Sequence, residues 1–123
     1  MGIEAFGINP RSPAGRHFGV AIRAWIPLAA YCITLSHDLS IDWHATDGVR
    51  LTNDQAVALA AILQTEIDSG DTAEYERRRE IEIRGVRNDD CHVYTHKYCI
   101  FSTEIVSEFA GFLQDCGGSW IRY

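Results

Sequence analysis

The sequence predicts a single α+β domain spanning residues 1–123, with a small antiparallel sheet packed against about three helices. The sheet is expected to combine the terminal strands with a hairpin near residues 80–101. Three observations carry this prediction. Apolar side chains recur at helical spacing between recognisable caps in the middle and near the end of the chain. Alternation with a period of two marks the start of the chain and residues 80–101. Clusters of Pro, Gly, Asn and Asp separate these segments.

Residues 2–8 alternate weakly as Ile3, Ala5 (with Phe6) and Ile8, which predicts a first short strand. It breaks at Asn9-Pro10-Arg11-Ser12-Pro13-Ala14-Gly15, where two prolines and a glycine force a turn. His17 to Ile22 fits either an extended or a helical segment. From there Trp25, Leu28, Ala29, Cys32 and Leu35 fall at helical spacing, giving a first helix near 25–36 with Pro27 tolerated in its first turn. His37 to Leu51 shows no sustained period and reads as a loop with one short extended piece.

The second helix has the strongest local signal. Thr52 followed three residues later by Gln55 is a capping box, Ala56, Leu59, Ala60, Leu63 and Ile67 make one apolar stripe, and Gly70 supplies the C-terminal stop. Asp71 or Thr72 then caps a short helix from Ala73 to about Arg79. Glu80-Ile81-Glu82-Ile83-Arg84 alternates, Asn88-Asp89-Asp90 is turn-forming, and Cys91 to Phe101 alternates again, so Glu80–Arg87 and Cys91–Phe101 are expected to pair as a hairpin. Ser102 or Thr103 caps a last helix whose apolar face is Ile105, Val106, Phe109, Phe112 and Leu113, closed by Gly117-Gly118. Ser119 to Tyr123 forms the final strand.

Composition narrows the functional class. The chain is 46% hydrophobic and 23% charged, within the ordinary globular range, and at 123 residues it buries roughly two thirds of its unfolded surface. The longest apolar run, Trp25 to Ile33, is about half of what a bilayer span requires, and no basic region precedes an apolar core at the start. A cytoplasmic location and no membrane partner are therefore expected. Cys32, Cys91, Cys99 and Cys116 are too irregularly placed for a secreted disulfide framework and are read as reduced thiols. A formal net charge of −6 argues against direct nucleic-acid binding and suits docking on a basic surface, including one that normally holds nucleic acid.

Chemistry-bearing residues concentrate in Cys91-His92-Val93-Tyr94-Thr95-His96-Lys97-Tyr98-Cys99. A structural zinc site wants four Cys or His ligands in two close pairs, and Cys91, His96 and Cys99 are the candidates here. As a strand, however, the segment places His92, Tyr94, His96 and Tyr98 on one face and Cys91 and Cys99 on the other. The four potential ligands then split two and two, so no metal or other cofactor is expected, and the His/Tyr face reads as a partner contact. Thiol–imidazole pairs for nucleophilic catalysis, Cys91 or Cys99 with His96 and Cys32 with His37, lack an activating motif. Trp43-His44-Ala45-Thr46-Asp47-Gly48 places a His and an Asp three residues apart in a polar loop, beside the simpler reading of a turn anchored by Trp43. Glu74 to Glu80 mixes arginines and acids as a salt-bridged helix face. No phosphate loop, nucleophile elbow or other complete catalytic signature is present.

Taken together, Met1-Gly2-Ile3-Glu4-Ala5-Phe6-Gly7 with Ser12-Pro13-Ala14-Gly15, Trp25 to Cys32, His44-Ala45-Thr46-Asp47-Gly48, Glu66 through Tyr75, and Phe101-Ser102 through Leu113 with Gly117-Gly118 resemble a family of uncharacterised proteins from bacteria and their phages. The likeness covers most of the chain. It implies a phage or mobile-element setting and no particular activity. Many members carry a Cys-x-x-Cys zinc-ribbon-like insert between the middle and last helices. This chain has no Cys-x-x-Cys, and the hairpin with Cys91 and Cys99 stands in its place.

The resulting expectation is a small, acidic, non-enzymatic protein that acts by protein–protein contact, as an inhibitor of a host defence complex in the manner of anti-CRISPR proteins. Asp38, Asp42, Asp47, Asp68, Asp71, Asp89 and Asp90, with His92, Tyr94, His96 and Tyr98, are the candidate contacts, and the partner is a protein, such as a nucleic-acid-binding defence complex. The rival expectation is a metal- or ligand-binding, enzyme-like protein using His44, Asp47, His92 and His96. A homodimer paired through a strand edge is a third.

Overall fold

The computed structural model describes residues 2–85 and 100–122. Four strands, β1 (Gly2–Gly7), β2 (His17–Ala21), β3 (Val49–Leu51) and β4 (Ser119–Arg122), form one antiparallel sheet in the order β2-β1-β4-β3. Four helices accompany it among the described residues: α1 (Ile22–Leu35), α2 (Asn53–Ser69), α3 (Asp71–Gly85) and α4 (Thr103–Asp115). The α+β class and the presence of both terminal strands in the sheet follow the sequence reading, and the structure adds that these two strands pair with each other. Their partners differ: among the described residues the sheet is completed by β2 and β3.

That difference traces to Glu80–Gly85, which continues α3 instead of starting a strand. Five alternating residues, Glu80 to Arg84, fit a strand on period alone, but they directly follow a nucleated helix of Glu and Arg, and extending it costs far less than starting a new element. Glu74 also accepts from Arg77, with Arg78 3.8 Å away, so charge pairs support a helix that has little apolar face. The expected second arm, Cys91–Phe101, lies outside the described residues except for Ile100 and Phe101, which belong to no strand.

One face of the sheet is covered. Ile3 and Ala5 of β1, Phe18 of β2, Val49 and Leu51 of β3 and Ile121 of β4 point into a core completed by Trp25, Leu28, Leu59, Leu63, Val106, Phe109, Phe112 and Leu113. Strand alternation in the central strands is strict, so Gly2, Glu4 and Phe6 face outward. Phe109 is the hub: its ring lies 5.0 Å from Phe18, 5.8 Å from Trp25 and 6.3 Å from Phe112, centre to centre.

Helix α1 starts three residues earlier than expected, and Pro27 is its sixth residue rather than part of its first turn. A proline there leaves the carbonyl of Arg23 without its usual i+4 donor. The chain supplies a substitute from far away, since the amide of Ile100 donates to Arg23 O at 3.0 Å. Next to it Phe101 is buried against Tyr31 and Tyr75, with ring centres 4.7–5.2 Å apart in that triad, and the Tyr31 hydroxyl meets buried Thr72 Oγ1 at 2.9 Å. These contacts dock α3 and the start of α4 on α1.

The α2 capping box is present as read: Gln55 N donates to Thr52 Oγ1 (3.1 Å) and Thr52 N to Gln55 Oε1 (2.9 Å). Gln55 Nε2 also donates to Leu39 O (3.0 Å), tying the 3-10 turn His37–Leu39 to the helix start. Ser102 caps α4 by accepting from Ile105 N. Gly117 turns the chain into β4 at φ 64°, where a Cβ would also collide with the carbonyl of Asn9.

Candidate functional site

The sheet face on which no described residue packs is assembled by cross-strand register. His17 opposes Phe6, Phe6 opposes Trp120, and Trp120 opposes Arg50, so one row of planar groups crosses all four strands. The Phe6 and His17 rings are 5.2 Å apart. The guanidinium carbons of Arg50 and Arg122 stand 4.9 and 4.7 Å from the Trp120 ring centre, within cation–π range. Trp120 Nε1 donates to Asp47 O (3.1 Å), and Asp47 Oδ2 lies 3.6 Å from Arg50 Nη2. Phe6 is among the few large apolar side chains left in solvent.

A second row, Gly19–Glu4–Arg122, runs beside the first, with Glu4 3.5 Å from His17 Nε2. Beyond it Gly2 and Gly19 leave the backbone bare, and a shallow depression of about 630 Å³ opens there between Glu4, Ala21 and Arg122. Exposed Arg16 and Arg23 flank the two ends of β2.

The opposite side of the molecule has a different character. Helices α2 and α4 pack side by side and carry Asp54, Glu66, Asp68, Glu104, Glu108 and Asp115 with no Lys or Arg between them. Asp54, Asp68, Glu104 and Glu108 are exposed, whereas Asp115 accepts from Ser12 Oγ at 2.7 Å. Of these only Asp68 stood among the candidate contacts read from sequence. Glu104 and Glu108, one helical turn apart, were legible as an acidic i, i+4 pair.

The other expected acidic contacts divide. Asp38, Asp42 and Asp47 lie in the segment between α1 and β3, near the start of α2, while Asp68 and Asp71 sit at its far end, about 25 Å along a 17-residue helix. At that far end Glu66 is raised above the usual carboxylate range, first by partial desolvation and then by the charge of neighbouring Asp71. Burial similarly raises the Tyr31 hydroxyl, with Glu66 and Asp71 adding to the shift and the Thr72 hydrogen bond opposing it.

The Trp43–Gly48 loop does not converge on a reactive centre. Trp43 is buried and its Nε1 donates to Ser36 Oγ (3.0 Å), Asp42 Oδ1 accepts from the amide of His44 (3.2 Å), and the Asp47 carboxylate turns to Arg50. His37 and His44 only line a small cavity of about 220 Å³ with Asp42 and Trp43. Among the described residues no group of three or more His, Cys, Asp or Glu side chains is placed to hold a metal ion.

The thiol pairing of Cys32 with His37 fails on burial. Cys32 lies wholly within the core and burial drives its pKa far above the ordinary thiol value, away from the reactive thiolate. Cys116 is likewise buried and raised, its Sγ 3.3 Å from Leu113 O. Asp89, Asp90, Cys91, His92, Tyr94, His96, Tyr98 and Cys99 lie outside the described residues.

Comparison with protein-family models, with curated proteins and with solved structures finds no match to this chain. Among the described residues no helix is long and apolar enough to cross a membrane.

Proposed function

We propose that this chain is a small non-enzymatic binding protein of phage or mobile-element type, which acts by laying its acidic helical side on the basic surface of a protein partner. The observation that supports this is the segregation of charge: six carboxylates and no Lys or Arg on the paired helices α2 and α4. A single-sign surface of this kind steers association with a positive patch and competes with the polyanion such a patch ordinarily holds. Nucleic-acid-binding channels, those of host defence complexes included, are the surfaces that fit this description.

The test is affinity purification from a bacterial lysate, read by mass spectrometry, with the native chain and a D54N/E104Q/E108Q variant. The native chain is expected to retain a nucleic-acid-binding protein that elutes with salt, and the variant to lose it. Recovery of no such partner, or equal recovery by the variant, overturns the reading.

A further inference from the structure

We propose that the open sheet face binds a short single-stranded nucleic acid, with bases stacked on Phe6 and Trp120 and phosphates held by Arg50 and Arg122. The inference is independent of the acidic helical side. It rests on the planar row across the sheet and on a charge balance opposite to that of the chain as a whole.

The two stacking groups occupy the two central strands and sit directly opposite each other in register. This is the arrangement by which a four-stranded antiparallel sheet presents successive unstacked bases with aromatic platforms. His17 extends the row on one side, and Arg50 extends it on the other with a guanidinium plane that stacks as well as donates. Among the described residues nothing packs on this face; Phe6, His17, Arg50 and Arg122 are all exposed.

Charge complementarity selects the occupant. The outward positions of the four strands hold Arg50 and Arg122 against Glu4, with Asp47 beside Arg50 at the edge, a local balance of +1 on the strands themselves in a chain whose total is −6. Polyanions are therefore drawn to this side and repelled by the helical side. A protein partner would seek an apolar pocket for an anchor side chain. The depression next to the row is instead floored by the backbone of Gly2 and Gly19 and walled by Glu4 and Arg122, offering hydrogen-bonding groups suited to a base edge or a sugar. Stacking itself is tolerant of sequence, because every base has a π-face, so binding to many strands is expected.

Trp120 is a built-in reporter, since the other two tryptophans, Trp25 and Trp43, are buried in the core. Oligouridylate and oligothymidylate decamers at low salt are expected to quench tryptophan emission and raise the anisotropy of a labelled strand. F6A should weaken binding roughly 5- to 100-fold, the loss of one stacked base. R50Q and R122Q should each reduce the salt dependence of log K by about 0.7. W120F should keep much of the affinity while abolishing the quench. Phe6 and Arg122 are exposed, so both variants should melt with the native chain; if F6A does not fold, R122Q carries the test. Absence of binding up to about 1 mM protein, weaker than ordinary non-specific contact, overturns the proposal. So do equal affinity for a duplex, equal affinity of F6A and R122Q, and displacement of the strand by an equimolar hexaglutamate peptide, which would mark the face as a site for acidic protein segments.

Discussion

The two sides of this molecule are built from the same core yet carry opposite surfaces. Helices α2 and α4 expose carboxylates and small residues, with every Lys and Arg excluded from their 30 positions, 17 in one and 13 in the other. The outer sheet face exposes a Phe, a His, a half-buried Trp and two arginines, with Glu4 its one carboxylate. A formal charge of −6 averages these into a single number and hides the difference. What a protein attracts is decided over distances comparable to the Debye length, about 8 Å at physiological ionic strength, which is shorter than the thickness of a helix packed on a sheet. Net charge therefore excludes a nucleic-acid partner for one side of this chain and not for the other.

The most destructive way to probe that comparison is to remove the support both sides share. Phe109 is fully buried and links α4 to β2 through Phe18 and to α1 through Trp25. F109A is expected to cost about 3–5 kcal/mol, a large part of the stability of a domain this size, and to abolish activity on both faces together. Denaturant unfolding followed by Trp fluorescence measures it. A variant that lost one face's binding and kept the other's would show that the two sides are not held by one core.

Much of this scaffold was legible from residues 52–70 and 102–118. There a local cap, an apolar stripe and a terminal glycine all agree, and the elements formed within a residue or two of expectation. Residues 80–85 mislead because Ile81 and Ile83 alone cannot separate the two periods, so the apparent switch of period after Arg79 is a continuation of the helix. Candidate sites were harder to read. Phe6, His17, Arg50, Trp120 and Arg122 are scattered over the whole chain, and only strand register brings them into two rows. Register depends on long-range pairing that no local pattern encodes. In residues 2–8 Phe6 reads from sequence as an apolar position beside Ala5, whereas the strand turns it to the face opposite Ile3 and Ala5. The acidic residues read from sequence as contacts on one surface, yet the length of α2 holds Asp38 and Asp42 far from Asp68 and Asp71.

A gentler perturbation separates the sides. T52A removes the hydroxyl that accepts from Gln55 N, and about 1 kcal/mol of stability should go with it. Q55A removes the other half of the capping box, the Oε1 that accepts from Thr52 N, together with the donor to Leu39 O, which ties the 37–39 turn to the start of α2. Amide exchange is expected to quicken in residues 36–56 for Q55A beyond what T52A produces. Strands β1 and β4 should keep their protection, and oligonucleotide quenching of Trp120 should stay unchanged. Equal exchange profiles for the two variants would mean that the Gln55 side chain contributes only to the cap.

The smallest expected effect tests whether the acidic side strains the fold that carries it. Glu66 lies in the last turn of α2, where partial desolvation first and then the charge of neighbouring Asp71 raise its pKa, on the helix end whose dipole also disfavours a carboxylate. Its raised pKa means that the folded chain binds this proton more tightly than the unfolded chain. The destabilisation is therefore absent below the unfolded-state pKa and complete above the folded-state value, so it grows as pH rises through the carboxylate range. Like-charge neighbours on helices cost about 0.2–0.5 kcal/mol, which corresponds to roughly 1–2 °C in Tm for a domain of this length. E66Q should accordingly melt 1–2 °C higher than the native chain near pH 7 and converge with it near pH 4. Asp71 begins α3, where the dipole favours a negative charge, so D71N should show less benefit than E66Q or none. A pH-independent gain in E66Q would assign the effect to packing at the α2–α3 junction, and the acidic side would then cost the fold nothing there.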